Sequence, residues 1–323
     1  MRGAKLYGAF LVGFVLIALS SCATGNPSEY SSSTSENPGM LVIPKGWFVM
    51  GLDKGNINER PEHDVFLDTF EIDKYEVSAR EFAEFLNEKG NPENRYFSHD
   101  KYSTIMGVSY VNGMAVETTK NPEKYIPREG FENYPANNVS WFGADAYCRW
   151  KGRRLPTEAE WEKAARGDDK RIYPWGNGMP DVTKAKYDQK WEEKGLNVMT
   201  PVDSLHNGAS YYGVLNMSGN VWEWVNDWYR QNYCDFCTAD SEYYMVAENL
   251  LGAKKAPEDV NDNEQELPTP PMDDPQGPSL GSFKVLRGGS WYDSYGELVI
   301  RTTYRYWFRP EDRYLNTGFR CAE

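Results

Sequence analysis

Apolar and polar positions divide the chain into three regimes. Leu6 to Leu19 is an uncharged, apolar run, residues 23–38 (ATGNPSEYSSSTSENP) show no apolar period, and from Met40 short apolar runs alternate with long aromatic-rich loops. Leu41-Val42-Ile43-Pro44 and Gly46-Trp47-Phe48-Val49-Met50-Gly51 read as a strand, a turn and a second strand, because Pro-Lys-Gly splits two short apolar runs. Helices are few and clearly punctuated. Ser78-Ala79-Arg80-Glu81 is a capping box, followed by Phe82, Phe85 and Leu86 on one face and Gly90 as a stop. A second helix is expected from Ser140 to Trp150, ending at Gly152. A third opens with Thr157-Glu158-Ala159-Glu160, puts Trp161, Ala164 and Ala165 on one face and stops at Gly167. The Glu three residues after each cap satisfies backbone donors, which is a structural task rather than a catalytic one.

The first regime sets the compartment. Arg2 and Lys5 precede the apolar run, and Ser20-Ser21-Cys22 follow it. A basic start, an apolar stretch and small residues before a cut describe a secretory signal over residues 1–21. The run is shorter than the roughly 20 residues needed to span a bilayer core. Leu19-Ser20-Ser21-Cys22 resembles the bacterial lipobox, which implies lipidation at Cys22 and a mature chain that begins there. Ala23 in place of Asp points to the outer membrane. Residues 22–39 are then the lipidated cysteine and a flexible Ser-rich tether, with the folded body over residues 40–323.

Composition narrows the body further. Of 323 residues, 15% are aromatic, including 11 Trp and 22 Tyr, which suits an irregular fold packed by rings. The formal net charge of −13 repels phosphate backbones and excludes nucleic acid as a partner. His63, His99 and His206 are scattered and give no His-rich metal cluster. Residues 231–283 read as an insertion with the composition of an exposed, partly disordered loop, carrying Cys234-Asp-Phe-Cys237 and the acidic, Pro-rich run APEDVNDNEQELPTPPMDDP.

Ordered blocks then make the body recognisable. They are Asn138-Val139-Ser140-Trp141, Ala146-Tyr147-Cys148, Gly152 to Glu162 (GRRLPTEAEWE) and Tyr173-Pro174-Trp175-Gly176-Asn177. After them come Asn216 to Trp224 (NMSGNVWEW), Leu286-Arg287-Gly288-Gly289-Ser290-Trp291 and Gly318-Phe319-Arg320-Cys321. The series resembles the formylglycine-generating (sulfatase-modifying factor) superfamily over roughly residues 40–323. That resemblance implies an α+β domain, a variant of the C-type-lectin fold with little regular secondary structure.

The resemblance also implies chemistry, and here the chain departs from it. The family binds one Cu(I) through two cysteines after the Arg-Gly-Gly-Ser block and oxidises a substrate cysteine with oxygen. Those positions fall on Asp293 and Leu298, and no cysteine lies between Cys237 and Cys321. A carboxylate and an isobutyl group cannot replace two thiolates for a soft ion, so no copper is expected. The family's calcium loop maps onto Asn216, Gly219, Val221 and Glu223, an oxygen-only set suited to a hard cation; the bland reading has Asn and Glu bonding loop backbone. A second family calcium stretch reads Ala185-Lys186-Tyr187, where the lysine argues for loss. Cys148 and Cys321 match positions the family joins in a disulfide. For Cys234 and Cys237, a local disulfide staple is favoured over a redox or metal-binding pair. Arg301, Arg305, Arg309, Arg313 and Arg320, interleaved with Tyr304, Tyr306 and Trp307, could meet an acidic ligand or a glycan, but bracing of loops is the simpler reading. His63 is expected to be a packed, hydrogen-bonded residue.

The expected function is a membrane-anchored, non-catalytic module for binding or assembly in the bacterial cell envelope, with envelope proteins or glycans as partners. The alternatives are a metal-dependent oxidoreductase of altered chemistry around Asp293 and a thiol-redox protein working through Cys234 and Cys237.

Overall fold

The computed structural model describes Asn37, residues 39–231 and residues 272–323. The expected signal peptide, Cys22, Ala23, most of the tether, and Cys234 and Cys237 lie outside the described residues.

Both early strands form where the apolar runs predict, but they do not pair with each other. β1 (Met40–Ile43) pairs antiparallel with β4 (Phe70–Asp73), and β2 (Gly46–Met50) with β3 (His63–Leu67). The third helix holds β2 in its own sheet: Lys163 Nζ donates to the Gly46 carbonyl at 2.8 Å, and Arg166 Nη1 donates to the Val49 and Gly51 carbonyls.

The three helices sit within a residue of their sequence signals. α1 (Ala79–Lys89) is capped by Ser78 with Glu81 completing the box, and α2 (Trp141–Trp150) is capped by Ser140. α3 (Glu158–Arg166) has the Thr157–Glu160 box, and Gly167 closes it at φ 71°. An Ala at such a cap position costs about 0.5–2 kcal/mol. α3 departs from an amphipathic helix in one respect. All nine of its residues are buried, including Glu158, Glu162, Lys163 and Arg166.

The remaining strands are β5 (Ile105–Val111), β6 (Met114–Glu117), β7 (Lys124–Pro127), β8 (Trp222–Trp228), β9 (Met272–Asp273), β10 (Lys284–Arg287), β11 (Arg305–Phe308) and β12 (Thr317–Phe319). The largest sheet among the described residues has the order β11-β10-β8-β12, with β8 and β12 parallel and the other pairs antiparallel. β5, β6 and β7 make a three-stranded sheet of their own, with β5 in the centre. β9 pairs parallel with β3 through Val65↔Met272 and Phe66↔Asp273, and the Asp274 side chain accepts from the Asp68 amide. The expected insertion therefore touches a sheet at its far end. Residues 272–274 are tied to β3, while Gln276, Ser279, Leu280, Ser282 and Phe283 are exposed, as the loop reading of 231–283 expects.

Rings from α1, α2 and β12 fill the main core. Phe82 lies 5.5–6.0 Å from Phe85, Phe97, Tyr147 and Phe319. Each such fully buried ring contributes roughly 1.5–3 kcal/mol relative to exposure. Beside this core, Cys148 at the end of α2 is joined by a disulfide to Cys321 after β12. The C-terminal segment is further fixed by bridges from Ala322 to Ile72 and to Arg154.

Candidate functional site

Two clusters of expected site residues can be followed side chain by side chain. The first is the loop entering β8. Asn216 and Asn220 take positive φ (56° and 63°), as does Gly219 (79°), where an added Cβ would collide with the Lys186 carbonyl. This loop packs directly against the Ala185-Lys186-Tyr187 stretch, through Asn220 N donating to Lys186 O at 2.8 Å. Asn216 Nδ2 donates to Glu76 Oε2 (2.9 Å) and to the Val202 carbonyl (3.1 Å), while its Oδ1 is buried with no hydrogen-bond partner. Asn220 Nδ2 donates to the other oxygen of Glu76 at 2.7 Å.

Glu223 is committed to a cation already in the chain. Arg320 grips it through Nε and Nη2, both at 2.6 Å, and the Trp161 indole adds a third donor at 2.9 Å. Each carboxylate oxygen can accept two bonds. Oε2 receives two of these three donors and Oε1 one. Glu76 is a member of this cluster that the sequence reading did not single out. Burial pushes its carboxyl up to about 7, against the pull of Arg320, and neighbouring Glu223 adds to the rise. Glu76 lies 140 residues before Asn216 in the chain, and no local pattern marks it.

The second cluster surrounds Asp293 and Leu298, the two positions expected from the resemblance to stand where copper ligands would. Asp293 Oδ2 accepts from the Ser290 amide at 2.8 Å and the Ser290 hydroxyl at 2.7 Å. Asn316 donates to the same Ser290 hydroxyl at 3.0 Å. Burial raises the Asp293 pKa, and the bonds from Ser290 and the Trp222 indole oppose that. Leu298 is 54% exposed on the helical turn Gly296–Val299, in a loop that also exposes Tyr292 and Tyr295. The structure thus brings Asp293 together with Ser290 and Asn316. Leu298 joins them only as a solvent-facing neighbour.

The arginines do not form a surface stripe. Arg305 forks onto Glu158 at 2.6 and 2.8 Å, and Arg287 bridges Glu158 (2.8 Å) and Glu162 (2.5 Å). Arg301 pairs with Glu59, and Arg313 donates to the Asn94 carbonyl. Burial alone would push Glu158 up, but Arg305 and Arg287 outweigh it and hold its pKa below the usual carboxylate value. His63 sits buried with Nδ1 2.9 Å from the Pro61 carbonyl, and burial lowers its pKa. Asp227, also unmarked by the sequence, accepts the Glu158 amide at 2.7 Å and is raised by burial to about 7.

Comparison with known proteins identifies the family. Residues 26–323 match the family model described as sulfatase-modifying factor enzyme 1-like domain, so the chain belongs to that family. It is 31% identical over 319 residues to the formylglycine-generating enzyme of Thermomonospora curvata, covering 88% of this chain and 93% of that one. It is also 28% identical over 285 residues to a Chlamydia caviae protein named serine/threonine-protein kinase pkn1. That match covers 88% of this chain but only 38% of the relative's length. Among solved structures, PvdO from Pseudomonas aeruginosa superposes with a TM-score of 0.57 at 23% identity, over 89% of this chain and 99% of that one. The fold is therefore the α+β, lectin-like one of the formylglycine-generating superfamily.

Proposed function

We propose that this member of the sulfatase-modifying-factor family is a lipid-anchored, non-catalytic module for binding or assembly in the bacterial cell envelope. The observation that carries the reading is the pair at the copper positions. Asp293 directs a carboxylate oxygen to Ser290, and Leu298 has no donor atom at all. Cu(I) favours soft thiolates, and neither side chain offers one. The two cysteines among the described residues are joined to each other elsewhere in the fold.

The catalytic half of this reading is tested on the mature chain treated with Cu(I) and offered oxygen and a peptide bearing a sulfatase-type cysteine. Mass spectrometry is expected to find no aldehyde product. Aldehyde formation that disappears in Asp293→Ala would overturn it. The anchoring half rests on Cys22 and, for the outer membrane, on Ala23. Labelled palmitate is expected to enter the expressed full chain, and Cys22→Ser to abolish the label and release the protein from the membrane fraction. A Cys22→Ser chain that stays in the membrane fraction would count against the anchor.

Calcium is proposed as a structural ion at Asn216, Gly219, Val221 and Glu223. The fit rests on Asn216 Oδ1, a buried oxygen that accepts nothing, and on the remaining lone pair of Glu223 Oε1. When bound, the ion would fix this loop and would carry no chemistry of its own. Metal analysis of the chain is expected to give one calcium, lost in Asn216→Ala; calcium absent from the unaltered chain after equilibration in millimolar Ca²⁺ would remove the proposal.

A further inference from the structure

β11 is an edge strand of the largest sheet, and its outer side borders a cleft of about 730 Å³. That volume falls in the ~300–1,000 Å³ range of small-molecule sites. The cleft is lined by the rings of Tyr229, Tyr306 and Trp307 and by the amide side chains of Asn56, Asn58 and Gln231. Ser290, Asp293 and Leu298 do not line it, although Trp222, behind Tyr306, also bonds Asp293.

The rings form a continuous ladder. Trp307 stacks on Tyr229 at 4.2 Å, Tyr306 follows Trp307 at 5.4 Å, and Tyr306 is itself stacked on the buried Trp222 at 5.4 Å. Each ring is therefore braced from behind by another, and conformational freedom lost on binding is small. The polar wall is braced as well. Asn58 Nδ2 donates to the Tyr229 hydroxyl and the Arg305 carbonyl, both at 3.3 Å.

Charge decides the ligand class. Arg305 lies at the base of the cleft, but its Nε and Nη2 are spent on Glu158 and its Nη1 on the carbonyls of Asn58 and Arg230. The N–H groups of Arg305 are thus taken up within the protein, and Arg230, the other cation lining the cleft, turns Nη2 onto the Leu280 carbonyl at 3.2 Å, so neither offers the open guanidinium fork that an anionic group would seek. A purely apolar ligand would offer the amides of Asn56 and Gln231 no partner in exchange for water, which is unfavourable. A neutral pyranose answers both walls: its C–H face lies on an aromatic ring and its rim of hydroxyls meets amides.

We infer that this aromatic cleft beside β11 binds a neutral saccharide. The inference rests on the reading of the chain as a binding module and names its ligand class.

The test is saturation-transfer NMR on the purified full chain with three probes: chitotetraose, cellotetraose and maltotetraose. Saturable transfer to the ring C–H protons of at least one probe is expected. Trp307→Ala is expected to weaken that binding at least tenfold and Tyr306→Ala severalfold, while Trp47→Ala, exposed on β2, leaves it unchanged. If Trp307→Ala fails to fold, Tyr306→Ala gives the same readout from a solvent-facing ring. No saturable transfer from any probe would overturn the inference, as would binding that survives Trp307→Ala and Tyr306→Ala alike. Binding of decaproline to the cleft, with none of the saccharides bound, would also overturn it and assign the site to a proline-rich peptide. The two readings fail separately: aldehyde formation in the copper assay removes the non-catalytic module, whereas sugar silence removes only the ligand class.

Discussion

Residues 286–291 and 292–298 are consecutive, yet they obey opposite rules. In the first stretch Arg287 is fully buried between two carboxylates, Trp291 is fully buried, and Gly288 and Gly289 hold φ of 95° and 72°. A side chain at Gly289 would strike Ile300 and the Val299 carbonyl. In the second stretch Tyr292, Tyr295 and Leu298 face solvent. The first stretch is constrained by everything packed around it, whereas the second is constrained chiefly by what it must do. Family resemblance is therefore carried by residues that hold the fold. The family's chemistry would be carried by two loop positions that can change at little structural cost.

Mutations can break or sharpen that contrast. The largest effect is expected from Glu158→Ala, which leaves Arg287 and Arg305 as buried cations without their shared partner. Removing one partner of a buried pair costs about 3–5 kcal/mol, and here Arg305 is stranded while Arg287 keeps Glu162. Urea denaturation should show a loss at least that large, and a loss below 1 kcal/mol would show that water reaches the pair. Opening the disulfide with Cys148→Ser and Cys321→Ser together is expected to cost about 2–5 kcal/mol. The melting temperature of the double variant reads this directly.

A third, intermediate effect depends on pH. Glu76 and Asp227 both have folded-state pKa values raised to about 7 by burial. The folded state therefore binds more protons than the unfolded one between about pH 4 and 7. The stability associated with these groups is greatest at low pH and falls as pH rises through that window, by on the order of 1 kcal/mol per pH unit per group. The buried histidines His63 and His99, with lowered pKa, oppose the trend near pH 6. The clean readout is Asp227→Asn, whose urea midpoint should change less with pH than that of the unaltered chain, so that the two curves diverge as pH rises; parallel curves would show that Asp227 does not titrate. The smallest effects belong to the solvent-facing loop. Asp293→Ala should cost about 1 kcal/mol through its Ser290 bonds, and Leu298→Ser should stay within roughly 0.5 kcal/mol. A larger loss at Leu298 would break the contrast.

Much of this architecture is legible locally. The caps at Ser78, Ser140 and Thr157 predict three helices because each cap, with a box at Ser78 and Thr157, is satisfied within four residues. β1 and β2 are equally legible as strands, but their partners are not. Pairing with β4 and β3 is decided by packing against α3 and the C-terminal segment, which a local pattern does not contain. α3 shows the same limit more sharply. Its glutamates look like the polar face of an amphipathic helix, yet Glu158 and Glu162 are buried because Arg287 and Arg305 arrive from 125 or more residues away. In the candidate sites, Asn216, Glu223 and Asp293 could be named from motif order. Glu76 and Asp227 could not, since each acts through tertiary contacts without a neighbouring signature.

The ties around Asn37 have a mechanical consequence. Asn37 donates to both Glu71 and Glu323, Ala322 bridges Ile72 and Arg154, and Cys321 is bolted to α2. Tension entering the domain at Asn37 is thus divided between the β1–β4 ladder and the disulfide-linked C-terminal segment. The second path reaches α3 through Arg154, which pairs with Glu160 at 2.6 Å. A pull on the amino-terminal side therefore meets the β1–β4 ladder and the cross-linked carboxyl end together, so the first contact to yield would be a side-chain bond of Asn37 rather than the covalent link behind it.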